Sequence, residues 1–318
     1  MKLCFIGGTG HFDSVTGVIN NRTDEFEVCG LCPGPGDEDV SHVARALSEA
    51  GYKAPLFENC GEMFSRCRPD IAVVACYFGL QARVSADALQ RGISVLSDKP
   101  LATNSEDLSA LRQAYESGGA KLAAMLGGRY EPWFHAARRL VRQGEIGDVR
   151  LVNAQKSYRL GLRGAGYTDR SLYGGTIPWV AIHAVDWIYW ITGLRYRSVA
   201  AAHSRVGNNG HGDLENTTLC LFQMEDEVIA SVSADYLRGV AAPRHDDDRI
   251  RIMGTRGSLE VRDRRVYVIN EKHAYEADLP ESAGNLFDDF AASVRGDAPC
   301  PISAEDSLYV TGVCLGAR

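Results

Sequence analysis

Over the first 125 residues, short apolar runs alternate with helix-length amphipathic segments, and this alternation constrains the fold more than any other feature. Lys2–Ile6 reads as a buried strand. Residues 11–21 then set Phe12, Val15, Val18 and Ile19 on one helical face. Further strands are expected at Phe26–Leu31, Ile71–Cys76, Ile93–Ser97 and 120–125. Helices are expected between them at Val40–Ala50, 81–91 and 104–117, with Gly51 and Gly92 as stops. Apolar runs without polar alternation belong to strands covered on both faces. Helices of this length between such strands imply right-handed βαβ units in a parallel sheet.

Near residue 125 the texture changes. Pro132–Gln143 reads as a helix closed by Gly144. Strands are then expected at 149–158, 196–205, 216–224, 227–237, 248–253, 258–261 and 266–270. Glu225-Asp226-Glu227 and Gly254-Thr255-Arg256-Gly257 read as hairpin turns. One long helix over 177–192 interrupts the series, and Arg244–Asp248 reads as a solvated charged loop. The expectation is an α/β domain over 1–124, then an α+β domain over 125–318 built on a large, mostly antiparallel open sheet. The chain closes in a helix-like segment, and a few native residues are expected beyond it.

The formal net charge is −7, which argues against nucleic-acid or anionic membrane partners. Nine cysteines are present, an odd number in a long chain, so a disulfide framework is not expected and the reading is a reducing cytoplasm. Glycines begin at residue 7, too soon for a signal peptide. The longest apolar stretch, Ile177–Thr192, carries Pro178, His183 and Asp186, which a membrane span tolerates poorly. Cys29 and Cys32 form a C-x-x-C. Its only companions, Cys60 and Cys67, stand at poor spacing for zinc, so no metal site is expected.

After the first strand comes Gly7-Gly8-Thr9-Gly10. Strand, Gly8-Thr9-Gly10, helix is the layout of a dinucleotide cradle and makes the first domain a Rossmann candidate. Gly8 is expected to make the tight turn and Gly10 to admit a pyrophosphate near the helix N-terminus. Asp13 departs from the Gly or Ala of the third fingerprint position. Cys32 stands where the acidic ribose partner should end the second strand. Asp37, Glu38 and Asp39 follow within a few residues and would repel a 2′-phosphate. No Lys or Arg lies between 23 and 44, so of NAD and NADP the reading favours NAD.

The stretch Ile71–Ala102, with Asp98-Lys99-Pro100 near its end, resembles the glucose–fructose oxidoreductase / inositol dehydrogenase / MocA family, whose members carry Glu-Lys-Pro there. The resemblance continues through 127–149, 249–261 and 302–318. A third signature, a Gly-Gly run followed by Asp-x-x-x-His-x-x-Asp, reads here from Gly174-Gly175 to Trp179, His183 and Asp186, with Trp179 replacing the family's aspartate. Helical spacing puts Trp179, His183, Asp186 and Trp190 in one stripe.

The resemblance implies an NAD(P)-dependent oxidoreductase acting on a secondary alcohol or ketone of a sugar, cyclitol or related polyol by hydride transfer. It implies Lys99 and His183 as catalytic residues. Gly8, Thr9, Gly10, His11, Phe12, Cys32, Cys76, Tyr77, Gln81 and Asp98 are expected at the cofactor, and Tyr130, Tyr158, Trp179 and Asp186 at the substrate. Asp186 is placed to orient His183. Arg129, Arg159, Arg163, Tyr167 and Tyr173 are further candidates for the pocket. Relatives commonly bury the open sheet against a second subunit, so a homodimer or homotetramer is expected. Asp13, Cys32 and Trp179 keep a second reading open, a non-catalytic dinucleotide- or sugar-binding sensor. A third is redox-assisted elimination or glycoside cleavage.

Overall fold

The computed structural model describes residues 1–281 and 284–317. In the first unit, β1 (Lys2–Ile6), β2 (Glu27–Cys32), β3 (Ile71–Val74), β4 (Ser94–Ser97) and β5 (Leu122–Ala124) form one sheet in the order β2-β1-β3-β4-β5. Every pairing in it is parallel. Leu56 adds a parallel bridge to Leu31 outside β2. Counting that bridge as a strand gives the order 3-2-1-4-5-6 of a dinucleotide-binding sheet. The helices are α1 (Asp13–Ile19), α2 (Ser41–Glu49), α3 (Cys60–Cys67), α4 (Phe78–Gln90) and α5 (Ser105–Glu116). Strands β3 and β4 are buried at every position, as both-face coverage requires. Asn59 and Asn104 cap α3 and α5 by accepting from Glu62 N and Asp107 N. Helix α3 was not expected from the sequence. Its apolar positions are few and four of its eight residues are Cys, Gly or Ser.

In the second unit, α6 (Pro132–Arg142) precedes β6 (Val149–Tyr158). After the short α7 (Arg170–Tyr173), a π-helical stretch over Ile177–Ala181 leads into α8 (Ile182–Thr192). Strands β7 (Tyr196–Ser204), β8 (Thr217–Met224), β9 (Ile229–Asp235), β10 (Asp246–Gly254), β11 (Gly257–Arg262), β12 (Arg265–Asn270) and β13 (Ala274–Glu276) complete an eight-stranded sheet. Its order is β13-β12-β11-β10-β6-β9-β8-β7, antiparallel except for β6 against β9. The turns at 225–227 and 254–257 join β8 to β9 and β10 to β11, as expected. One face of the sheet buries Cys220, Phe222, Val232, Val152, Ile250 and Leu259. The other leaves Leu151, Leu219, Leu221, Ile229 and Ile269 between 38% and 60% exposed. Helices α6 and α8 meet through Phe134 stacked on Trp187, ring centroids 4.3 Å apart.

The chain then returns to the first unit with α9 (Leu286–Arg295) and α10 (Ala304–Gly316). Arg22 pairs with Asp288 at 2.7 Å, and Phe26 packs on Phe287. The Ser307 and Thr311 hydroxyls accept from Ala124 N and Leu101 N. The two compact units are therefore not one segment each. The first comprises Met1–Leu126, Ser171–Gly174 and Asn285–Gly312, and the second takes Gly127–Arg170, Gly175–Gly284 and the residues from Val313. A continuous division at 124/125 does not describe these units, because the opening segment runs to Leu126 and Ser171–Gly174 and Asn285–Gly312 belong with it. The returning helices bury Phe287 and Phe290, an apolar signal that carries no information about which unit it serves.

Candidate functional site

Three strand ends build the glycine loop. Gly7, directly after β1, adopts φ +77°, and a Cβ there would strike the backbone of Cys76. The tight turn therefore belongs to Gly7, not to Gly8 as the fingerprint suggested. Gly7 N donates to Cys32 O at 2.9 Å, and Gly10 N to Ala75 O at 2.8 Å. These bonds lock the loop between the carboxyl ends of β2 and β3.

Two carboxylates grip the loop. Glu38 is buried. Its Oε2 accepts from Gly8 N at 3.2 Å, Thr9 N at 3.0 Å and Thr9 Oγ1 at 2.6 Å, and its Oε1 accepts from Tyr77 N at 2.6 Å. Three main-chain donors and a hydroxyl converging on one carboxylate make an anion cradle. Glu38 comes from the loop after β2, six residues past the strand end where the acidic partner was sought. The signal was its place in Asp37-Glu38-Asp39, read there only as repulsive charge.

Asp98 grips the other side. It is fully buried, and it accepts from His11 N at 2.8 Å, His11 Nδ1 at 3.0 Å and Lys99 N at 2.8 Å. A Cβ on Gly10 would strike Asp98 Oδ2. Gly10 thus admits this carboxylate, where a pyrophosphate had been expected. Burial alone would push the Asp98 carboxyl up. The charge and hydrogen bonds of His11, with the Lys99 ammonium, outweigh it and hold the carboxyl below its ordinary value.

Lys99 is 1% exposed, so it is not a solvated loop charge. It stands just past β4, at the carboxyl end of a parallel strand, where α/β sheets bind ligands. Gln81 Nε2 donates to Asp98 O at 3.0 Å and also to Pro100 O, across the cis Lys99-Pro100 bond. Gln81, expected at the cofactor, is fully buried, and its amide braces the lysine turn. Cys76 is also fully buried, beneath Gly7. Phe12 stands edge-on to His42 at 5.3 Å. The Cys32 thiol contacts Cys60.

In the second unit, the expected single helix over 177–192 begins instead with the π-helical stretch that holds Trp179. The regular stripe survives only within α8, through His183, Asp186 and Trp190. Trp179 is 5% exposed and meets Tyr167 edge-on at 6.2 Å. Buried Glu215 fixes the entry to this stretch by accepting from Thr176 N at 3.0 Å and pairing with Arg170. Asp186 was expected to face substrate and orient His183. It accepts from Arg129 Nε at 3.1 Å and from a terminal nitrogen of Arg129 at 2.7 Å, with both side chains 2% exposed. The pair ties α8 to the 3-10 turn Gly127–Tyr130, which also carries Tyr130. The His183 ring lies 6.3 Å from that of Trp187.

The sequence reading missed a cluster at the end of β6. Lys156 Nζ donates to Asp248 Oδ2 at 2.7 Å and lies 4.8 Å from the Tyr158 ring centroid. Burial would push this ammonium down, but Tyr158 and Asp248 beside it hold it above its ordinary value. Burial pushes the Tyr158 phenol up, and the ring stacks on His245 at 5.0 Å. The run Arg244–Asp248, expected as a solvated loop, instead enters β10. Asp248 lies opposite Lys156 in the ladder, and Asp247 is paired by Arg238 and Arg249. Opposite charges in facing registers were the available signal.

Comparison with known proteins is consistent across the chain. Residues 1–125 match the model for the oxidoreductase family with an NAD-binding Rossmann fold, and residues 134–260 match the GFO/IDH/MocA C-terminal domain. Inositol 2-dehydrogenase of Corynebacterium glutamicum is 25% identical over 228 residues, which span 71% of this chain and 63% of that enzyme. A Thermotoga maritima structure classed as an oxidoreductase is 45% identical, with a TM-score of 0.95 over 100% of this chain and 97% of its own. GenD2 from gentamicin A biosynthesis, solved in complex with NAD, shares the fold at 18% identity and a TM-score of 0.80, over 100% of this chain and 93% of its own. Among the described residues, no helix is long and apolar enough to cross a membrane and no cluster suits a metal ion. The chain belongs to the GFO/IDH/MocA family of oxidoreductases, with an NAD-binding Rossmann fold in its N-terminal part.

Proposed function

We propose that this chain is an NAD-dependent dehydrogenase that oxidises a secondary alcohol of a polyol, cyclitol or sugar and reduces the ketone in reverse. The observation that carries the reading is the buried lysine turn. Lys99 stands at the carboxyl end of β4, and Asp98 fastens that turn to the glycine loop. Glu38 holds Gly8 N, Thr9 N, Thr9 Oγ1 and Tyr77 N, which sets an acidic side chain directly beside the glycine loop. Glu38 is the residue we assign to the adenosine ribose hydroxyls. Its negative charge repels a 2′-phosphate, which favours NAD over NADP.

When bound, NAD supplies the carbon that accepts a hydride. Lys99 hydrogen-bonds the substrate oxygen and stabilises negative charge on it. His183 takes the hydroxyl proton, since an imidazole is the side chain whose ordinary pKa suits proton transfer near pH 7. The Arg129–Asp186 pair is a positioning device that fixes α8 and with it His183. Tyr158, whose phenol burial pushes up, is assigned as a hydrogen-bond donor for a polyol hydroxyl, and Tyr130 and Trp179 are assigned to substrate contact.

The exposed apolar face of the second sheet supports a homodimer or homotetramer. Leu219, Leu221, Ile229, Leu151 and Ile269 fall on one face by register, and a contiguous set of exposed apolar side chains is the kind of surface that association covers. Nine free cysteines fit a reducing compartment, and we place the protein in the cytoplasm. Trp179, buried where the family motif carries aspartate, favours a second reading, a sensor that binds dinucleotide without turnover.

Titration with NAD and NADP, followed through the four tryptophans, tests the seat. A polyol panel followed at the absorbance of reduced nicotinamide then separates enzyme from sensor. Saturable NAD binding with turnover on at least one polyol is the expected result. Binding of neither dinucleotide refutes both readings.

A further inference from the structure

The C-x-x-C of the sequence does not act as a unit. Cys29 and Cys32 lie on β2, and each faces a different cysteine of α3, because α3 begins with Cys60 and ends with Cys67. Cys29 is the extra residue of a bulge, since Leu3 pairs with Val28 and Cys4 with Gly30. Its thiol donates to Leu3 O at 3.2 Å, and the Cys67 thiol donates to Cys29 O at 3.0 Å. Both protons of that pair go to carbonyls. The other pair is bonded to itself, with Cys32 Sγ and Cys60 Sγ 3.4 Å apart and Gly34 N directed at Cys32 Sγ at 3.5 Å.

We propose that Cys32 and Cys60 form an oxidisable dithiol, converted by hydroperoxides to an intramolecular disulfide that weakens dinucleotide binding. The second clause rests on the function proposed above. Closing the pair to a sulfur–sulfur bond of about 2.05 Å takes a movement of little more than an ångström. The hydrogen bond from Cys60, with help from Gly34 N and against the pull of burial, brings the Cys32 thiol down to about 7, whereas burial pushes Cys29 up to about 12. Within the Cys32–Cys60 pair, Cys32 is therefore the sulfur drawn toward its thiolate form near neutral pH. Cys60 also has access, for it lines a cleft of about 390 Å³ with Gly34, Asn59 and Arg83.

The chemistry balances in two steps. The Cys32 thiolate, beside Gly34 at the cleft that Cys60 also lines, attacks a peroxide oxygen, expelling hydroxide and becoming a sulfenic acid. The Cys60 sulfur then attacks the Cys32 sulfur, forming the disulfide and releasing water. Two thiols are oxidised, and one peroxide is reduced to two waters. The new bond pulls on the end of β2, where Cys32 O accepts from Gly7 N and where the loop that carries Glu38 begins.

The test uses the full chain, fully reduced, then treated with hydrogen peroxide. Alkylation and peptide mass mapping should find a Cys32–Cys60 cross-linked peptide, reversible by dithiothreitol, and the oxidised protein should bind NAD roughly tenfold more weakly. Cys60→Ser should bind NAD as the reduced protein does and lose its response to peroxide. A cross-link between Cys29 and Cys67 instead, no cross-link at all, or an oxidised protein with unchanged NAD affinity overturns the proposal. Reduced protein that fails to bind NAD refutes the function proposed above together with the second clause, while the peptide map still decides the first.

Discussion

Replacing Asp98 with glutamate restores the residue that the family's Glu-Lys-Pro motif carries, and the structure predicts that this chain is harmed by it. Asp98 Oδ2 already fills the space a Cβ on Gly10 would need, and the same oxygen accepts from His11 N at 2.8 Å. One added methylene drives the carboxylate into the Gly10–His11 backbone. The loop cannot retreat freely, because Gly10 N is bonded to Ala75 O and Gly7 N to Cys32 O. Overpacking of this kind costs about 1–3 kcal/mol. Asp98→Asn keeps the shape and fails differently. An amide nitrogen must face either His11 N or Lys99 N, and one orphaned buried N–H costs about 1–3 kcal/mol. Urea denaturation of the three proteins, with NAD affinity measured alongside, checks both values. Both variants should unfold at lower urea with an unchanged slope and bind NAD more weakly. If Asp98→Glu matches or exceeds the parent in stability, Gly10 has room to spare, and the account of the loop as fitted to a shorter carboxylate is wrong.

The remaining predictions follow from the same contacts. Because the folded Asp98 carboxyl is held below its ordinary value of about 3.9, its stabilisation is present above that pH and lost as pH falls through the folded value. The stability gap between the parent and Asp98→Asn should therefore narrow below about pH 4 in a pH series of urea midpoints. Lys99→Ala should lower kcat by about a hundredfold or more with little change in NAD affinity, and unchanged turnover removes Lys99 from the chemistry. Asp186→Asn strands a buried guanidinium and should cost about 3–5 kcal/mol, whereas Arg129→Met with Asp186→Leu should cost far less than the sum of the two single changes. Glu38→Ala should narrow the preference for NAD over NADP in parallel titrations, and an unchanged ratio rules Glu38 out as the ribose residue. Light scattering should give at least twice the chain mass of 34.6 kDa.

Most of the architecture was legible because burial imprints periodicity. β3 is apolar throughout, and both it and β4 are buried at every position because helices cover both faces, whereas β8 alternates because only one face is covered. What periodicity could not show was which distant segments meet. Nothing local in Leu286–Arg295 says that it returns to the first unit. Nothing local in Ile177–Ala181 distinguishes a π-helical stretch from an α-helical one, although Pro178 at its start is compatible with both.

The site was legible by residue and not by role. The motif named Asp98, Lys99, His11 and Gly10, and the structure joins His11 N and Lys99 N to the Asp98 carboxylate and sets Gly10 against it, while Gln81 braces the same turn through Asp98 O. The same limit governs Glu38. A fingerprint read at fixed spacing looks for an acid at the end of β2 and finds Cys32, while the fold needs only that some carboxylate reach the N–H groups of Gly8, Thr9 and Tyr77. A loop carrying Gly34 at φ +81° and Gly36 against the Tyr77 ring turns tightly enough to deliver one from six residues further on. The physical requirement is a carboxylate at a place in space, not at a position in the chain, so motif departures at Cys32 and Asp13 do not weaken the dinucleotide reading as much as they first suggest. They move the burden onto Glu38, whose substitution is the sharpest way to find out whether the seat is real.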